Sequence, residues 1–141
     1  MPLLPARVKY RKQHTRGNRL DHQATSGNTV AFGEYGLQVL ESGKIPSRSL
    51  EAARVAAGHY LGRNGKMWAR VFPHTPVGKH SAETRMGSGK GEVEYWCCQV
   101  HMGTVIYELA GVTEEQAREA FRRQAFKLPL KTRMIKRIAN V

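Results

Sequence analysis

Glu92-Val-Glu-Tyr-Trp-Cys-Cys-Gln-Val-His-Met102, then Thr104-Val-Ile-Tyr-Glu-Leu109, then Thr113-Glu-Glu-Gln-Ala-Arg-Glu-Ala-Phe121 carry the strongest strand and helix signals in the chain. The first two runs are rich in Val, Tyr, Trp and Ile, which fit a pleated, half-buried surface. They flank Gly103, so a pair of strands joined as a hairpin is the expectation. The third run changes period. Thr113 with Gln116 three residues on makes a capping box, Ala117, Ala120, Phe121 and Leu128 recur on one face, and Glu114/Arg118 and Glu119/Arg123 pair along the other. Pro129 is expected to terminate this helix.

Upstream, Lys66 to Phe72 alternates as a strand does, with Trp68, Arg70 and Phe72 on one side and Met67, Ala69 and Val71 on the other; Pro73 ends the run. Before it, Pro46-Ser47 introduces a helix with Ser47 as the expected cap. Leu50, Ala53, Ala57, Tyr60 and Leu61 share one face, and Gly62 and Gly65 stop it. Thr29 to Phe32 and Leu37 to Leu40 are two short strand candidates separated by Gly33 and Gly36. At the other end Lys127, Lys131, Arg133, Lys136 and Arg137 are spaced among Leu128, Leu130, Met134, Ile135 and Ile138, and read partly as a strand. Strands and helices mix without a strict βαβ rhythm and without a repeat. The expected architecture is therefore α+β, two helices packed on an antiparallel or mixed sheet, in a single domain over residues 1–141.

Charge narrows the function. A net +12 and a pI near 10.2 in 141 residues far exceed what a small domain normally carries, and such an excess repels itself unless a polyanion relieves it. Nucleic acid is the leading candidate. A membrane partner is not expected, because no apolar run is long enough to span and no amphipathic helix with a basic face stands out. Met1-Pro2-Leu3-Leu4-Pro5 runs straight into basic residues without the apolar core of a signal peptide, so the chain is expected to stay where it is made, in the cytoplasm or a plastid stroma. The adjacent Cys97 and Cys98 point to opposite faces of an extended chain, offer no disulfide framework, and fit a reducing compartment.

The cations are unevenly placed. Arg7, Lys9, Arg11, Lys12, Arg16 and Arg19 follow one another with no acidic residue between them, interleaved with Val8 and Tyr10, in an extension over residues 1–28 that cannot pack a core alone. Its expected role is to order on RNA, with Tyr10 stacking on a base or ribose. A second informative segment is 73–91, which shows no periodicity although strong strands flank it. Its tip, Arg85-Met86-Gly87-Ser88-Gly89-Lys90-Gly91, alternates glycine with a cation or a small residue. Glycines let a backbone approach a ligand with its N–H groups available, so phosphate is the expected partner. The tip is not a nucleotide-binding P-loop: Thr84 stands where the first glycine is required, and Gly91 where a hydroxyl should meet magnesium.

Other chemistry finds no support in the pattern. His14, His22, His59, His74, His80 and His101 lack metal-ligand spacing, and Cys97-Cys98 lies within an expected strand, so no metal is expected. Cys97 and His101 would share a strand face with Gln99 between them, too far apart for a nucleophile and its base. Trp68, Trp96 and Phe121 fall in regular apolar patterns and are expected in the core. Neither a cofactor nor an enzymatic activity is expected, since no convergent acid, base or nucleophile set is visible.

Several ordered segments resemble the bacterial-type large-subunit ribosomal protein L-sixteen family over essentially the whole chain. They are Leu4-Pro5 with the basic run through Tyr10-Arg11-Lys12, Phe32-Gly33-x-Tyr35-Gly36-Leu37, Glu51-Ala52-Ala53-Arg54 and Arg70-Val71-Phe72-Pro73. Further along come the Arg85 to Gly91 tip, Val93-Glu94-Tyr95-Trp96, and Ala117-x-Glu119-Ala120-Phe121 leading to Lys127-Leu128-Pro129. The resemblance implies an α/β hammerhead-like fold seated on large-subunit (23S-type) rRNA among neighbouring large-subunit proteins, close to the aminoacyl-tRNA site. It also implies help in late subunit assembly and a loop, here Arg85, Met86, Gly87, Ser88, Gly89, Lys90 and Gly91, that reaches toward tRNA. The expected rRNA contacts are Arg7, Lys9, Tyr10, Arg11, Lys12, Arg16 and Arg19 in the extension, with Lys131 and Arg133 near the C-terminus. The chain departs from the family in carrying Ser88 where Lys is common, His74-Thr75 where an Asp-Lys pair is common, and the Cys97-Cys98 pair. The alternative is an RNA- or DNA-binding protein or RNA chaperone acting off the ribosome.

Overall fold

The computed structural model describes residues 3–15 and 20–138. Nine elements follow in order: β1 (Tyr35–Val39), β2 (Gly43–Pro46), α1 (Ser47–Leu61), β3 (Lys66–Ala69), β4 (Thr75–Gly78), β5 (Val93–Val100), β6 (Val105–Ala110), α2 (Glu114–Ala125) and β7 (Thr132–Lys136). They make two sheets whose strands pair antiparallel, one of four strands in the order β3-β6-β1-β7 and one of three in the order β2-β5-β4. The α+β class with two helices stands. Its sheet is divided.

The expected hairpin across Gly103 does not form. β5 pairs with β2 and β4 while β6 pairs with β1 and β3, so the chain changes sheet at Gly103, whose φ of +96° is a left-handed conformation that favours glycine. The Gly103 amide donates to the Val39 carbonyl, 2.8 Å away, and not across a two-stranded turn. Thr29–Phe32 is not a strand either; the Ala31 and Phe32 N–H groups go to a carboxylate described below. Conversely, part of the 73–91 segment is regular. Thr75–Gly78 pairs with β5, and Pro76 is tolerated because β4 lies at the edge of its sheet.

Both helices are where periodicity places them. In α2, Thr113 Oγ1 accepts from the Gln116 amide at 3.3 Å and Gln116 Oε1 accepts from the Thr113 amide at 3.1 Å, the reciprocal capping box. The helix ends at Ala125, before Pro129, and Leu128 is buried in the turn beyond it. For α1 the cap position is Pro46, whose apolar ring has no atom to accept from the first amides, and Ser47 is already helical and buried. Gly62, with φ +57°, closes its far end in the left-handed conformation.

The core lies between the helices and the sheets. Leu50, Ala53 and Ala57 of α1 and Ala117, Ala120 and Phe121 of α2 pack with Leu37, Val39, Ile106 and Leu109 of the larger sheet and with Cys98 and Val100 of β5. Tyr107 is fully buried because its hydroxyl donates to the Leu50 carbonyl at 2.6 Å. The opposite face of the larger sheet is covered by the segment preceding β1, pinned where Ala24 N–H reaches the Met102 carbonyl and Val105 N–H the Gly27 carbonyl, both at 2.9 Å.

Candidate nucleic-acid interface

The hairpin β4–β5 projects the glycine-rich tip. Its neck is tight: Lys79 N–H donates to the Glu92 carbonyl at 3.0 Å, and a Cβ on Gly91 would stand 2.5 Å from the Lys79 carbonyl oxygen. Only a residue without a side chain fits that crossing. Beyond the neck every residue from 80 to 90 is exposed, Met86 completely. Gly87, Ser88 and Gly89 hold consecutive positive φ values of 103°, 65° and 87°, a run that turns the tip and that only the two glycines accept without strain.

The described part of the N-terminal extension, residues 3–15, has no helix or strand and lies against this loop. Lys12 Nζ donates to the Lys90 carbonyl at 3.0 Å and to the Glu92 carboxylate at 3.2 Å. In return Lys90 Nζ donates to the Gln13 carbonyl, and Lys44 Nζ reaches the Thr15 carbonyl at 3.4 Å. Two segments 78 residues apart in the chain are thereby brought side by side. Arg16 and Arg19 lie outside the described residues.

Ion pairing shows which cations are already compensated by a carboxylate. Lys131 is matched by Glu41 at 3.1 Å, and hydrogen bonding from Lys131 holds that carboxyl below its ordinary pKa. Lys136 pairs with Glu114 at 2.7 Å, and Arg122 and Arg123 both reach Glu119, whose pKa their hydrogen bonds lower to about 2. By contrast, Arg7, Lys9, Arg11, Arg85 and Lys90 have no acidic partner among the described residues. Lys9 instead lies 5.5 Å from the centre of the Tyr10 ring, which is 68% exposed. Most of the paired cations lie in or beside the helices and strands, whereas in the extension and the loop tip Lys12 alone of the lysines and arginines, among the described residues, meets a carboxylate.

Near the C-terminus Arg133 is anchored through Nε to Gln38 Oε1 at 2.9 Å. Gln38 is itself held by donating to the Gly103 and Asn28 carbonyls. A groove of about 440 Å³ runs beside β7, and Arg133, Lys136 and Arg137 supply its cationic wall. Lys131 and Arg133 are thus exposed but not equivalent, the first paired with a carboxylate and the second with a neutral amide.

One buried arrangement escaped the sequence reading. Glu108 stands among the apolar residues of β6 with its side chain fully buried, and accepts from the amides of Ala31 at 3.1 Å, Phe32 at 2.6 Å and Gly33 at 2.7 Å, as well as from Arg70. Burial alone would raise its pKa. The Gly33, Ala31 and Phe32 amides and Arg70 outweigh burial, and the carboxyl ends below its ordinary value. A lone Glu in a run of Val, Ile, Tyr and Leu was the available signal, since a buried charge must be satisfied.

The arrangement offers little to bond-making chemistry. Cys97 and Cys98 are buried free thiols whose pKa values burial raises, that of Cys98 to about 12, so neither is a nucleophile near neutrality. His101 lies against His22 with 4.2 Å between ring centres and the rings tilted by 31°. Among the described residues no group of three His, Cys, Asp or Glu side chains is placed to hold a metal ion, and no helix is long and apolar enough to cross a membrane. Trp68 and Trp96 are only partly buried, unlike Phe121, so the expectation that all three are core holds for one.

An α+β body that presents a basic extension and a basic glycine loop side by side, with Arg7, Lys9, Arg11, Arg85 and Lys90 lacking acidic partners among the described residues, has the character of a protein that meets a polyanion by position and charge. The family model for ribosomal protein L16p/L10e matches residues 5–135, and the chain belongs to that family. It is 56% identical over 135 residues to the large ribosomal subunit protein uL16 of Trichodesmium erythraeum (strain IMS101), covering 96% of this chain and 97% of the relative. It is 50% identical over 135 residues to the protein of the same name from Staphylococcus carnosus (strain TM300), covering 96% and 92%. This is a family of ribosomal proteins, not of enzymes.

Proposed function

We propose that the chain is a structural constituent of the large ribosomal subunit that holds large-subunit rRNA with its extension and presents its glycine loop toward tRNA. Two relatives named as large-subunit proteins support the assignment to that subunit. The observation that carries the RNA reading is the pairing of extension and loop: Lys12 and Lys90 each bond the other segment's backbone, so unpaired cations gather in one place. The mechanism is electrostatic and geometric. Arg7, Lys9, Arg11 and Lys12 displace counterions from rRNA phosphates, Tyr10 stacks, and Arg133 with Lys131 contacts a further stretch beside β7. Because the neck at Gly91 and the Lys12 tie limit where the loop can go, RNA bound to the extension also fixes the direction of Arg85 to Lys90. Exposed amides at Gly87, Ser88 and Gly89 then face an incoming phosphate.

Arg85→Ala with Lys90→Ala tests the loop assignment. Both side chains lie outside the core, so the isolated variant should unfold at the wild-type temperature. Cells relying on it should accumulate immature large subunits or accommodate tRNA slowly. Normal maturation together with normal accommodation would refute the loop's role.

A further inference from the structure

At the β3 edge of the larger sheet lies a cluster that neither the extension nor the loop uses. Trp68 and Arg70 alternate onto the outer face, Trp68 opposite Glu108 in the β3–β6 register. Phe32 comes from the covering segment and meets both. Its ring centre is 6.3 Å from that of Trp68 with 23° between the planes, and 5.1 Å from the Arg70 guanidinium carbon. Phe32 nevertheless remains 60% exposed, and Phe72, next in the alternation, 40%.

This exposed aromatic is held in place. The Phe32 amide donates to Glu108 at 2.6 Å, and the same carboxylate fixes Arg70, whose guanidinium also reaches the Thr29 carbonyl at 3.4 Å. One buried acid therefore positions both the ring and the cation beside it. A ring in water with an oriented guanidinium matches a nucleobase, which offers a π-face to stack and a phosphate nearby for the cation. A protein partner would need a contiguous apolar patch. Here the aromatic surface is interrupted by Arg70, on a chain of net charge +12.

We infer that Phe32, Trp68 and Arg70 form a stacking platform for one unpaired RNA base, a contact separate from the extension and the loop. The platform rests on the RNA-binding reading above and adds a base contact to it. Binding of the full-length protein to an oligoadenylate and to an abasic strand of the same length, at one salt concentration, separates the two. Phe32→Ala should weaken the base-bearing complex about tenfold, the scale of one base–aromatic stack, and leave the abasic complex unchanged, while Phe32→Tyr restores affinity. Equal losses on both strands, or no loss on either, would overturn the platform. If wild-type protein still bound RNA in those cases, the RNA-binding reading of the extension and loop would survive; if it bound neither strand, that reading would fall together with the platform. A readout with Phe32 intact uses Trp96→Phe, which leaves Trp68 as the sole indole: oligoadenylate should quench its emission and the abasic strand should not, and absence of that difference counts against the platform. In assembled large subunits a photo-crosslinking residue at position 32 should join to RNA; joining to a protein would contradict the proposal.

Discussion

Removing the loop's two cations should change the salt dependence of RNA binding by a calculable amount. Of the cations in the extension and loop, Arg7, Lys9, Arg11, Arg85 and Lys90 have no carboxylate partner among the described residues, whereas Lys12 already spends part of its charge on Glu92 at 3.2 Å. Each phosphate neutralised contributes about 0.7 to 0.9 to the slope of log K against log salt, depending on whether the strand is single or duplex. Engagement of all five therefore gives a slope of roughly −3.5 to −4.5 from this surface. Arg85→Ala with Lys90→Ala should make the slope shallower by about 1.4 to 1.8 and weaken binding most at low salt. Lys90 also donates to the Gln13 carbonyl, so the double variant should loosen the extension, and a change larger than 1.8 would be read as loss of an extension contact as well. Filter binding of the purified chain to a transcript of its large-subunit rRNA site, from low to moderate potassium chloride, gives the slope directly. An unchanged slope would refute the claim that the loop's cations meet phosphate.

Two further outcomes follow from the scaffold. Glu108→Gln keeps the shape but turns an amide nitrogen toward backbone N–H donors and leaves Arg70, 20% exposed, without its counter-ion, which should cost about 3 kcal/mol in urea unfolding. Because the Glu108 pKa is lower folded than unfolded, its contribution is complete above the ordinary carboxylate value of 4.5 and is lost as pH falls through the folded value. Wild type should lose stability in that acid range more steeply than Glu108→Gln, and parallel pH profiles would contradict the assignment. Gly91→Ala should force the loop neck apart, since its Cβ would meet the Lys79 carbonyl at 2.5 Å, and hydrogen exchange at the Lys79 amide should rise by at least tenfold; unchanged protection would show that the neck can yield.

Local signals were legible wherever a residue's partners are near it in sequence. Thr113 and Gln116 announced α2 because both halves of the capping box lie within four residues, and the Leu50, Ala53, Ala57 and Leu61 spacing announced α1. The hairpin expected across Gly103 failed for the opposite reason. Val, Tyr and Ile on both sides say that two strands exist, but which strand each pairs with is decided by residues up to about seventy positions away. Val30 and Phe32 alternate like a strand, yet their segment is fixed by Glu108, 76 residues distant from Phe32, and no periodicity encodes that. Pro76 concealed β4, because proline is compatible only with an edge position that the sequence does not reveal. For the interface, the cations and glycines were readable as types, while their meeting through Lys12 and Lys90 was not.

In the proposed role the RNA of the large subunit compensates these cations. Sucrose-gradient sedimentation of the tagged full-length chain from cells puts this to the proof. The chain should co-migrate with large subunits at moderate salt and be released as salt rises. A chain confined to light fractions at moderate salt, and absent from large subunits, would contradict that role and favour an RNA-binding protein or chaperone acting off the ribosome.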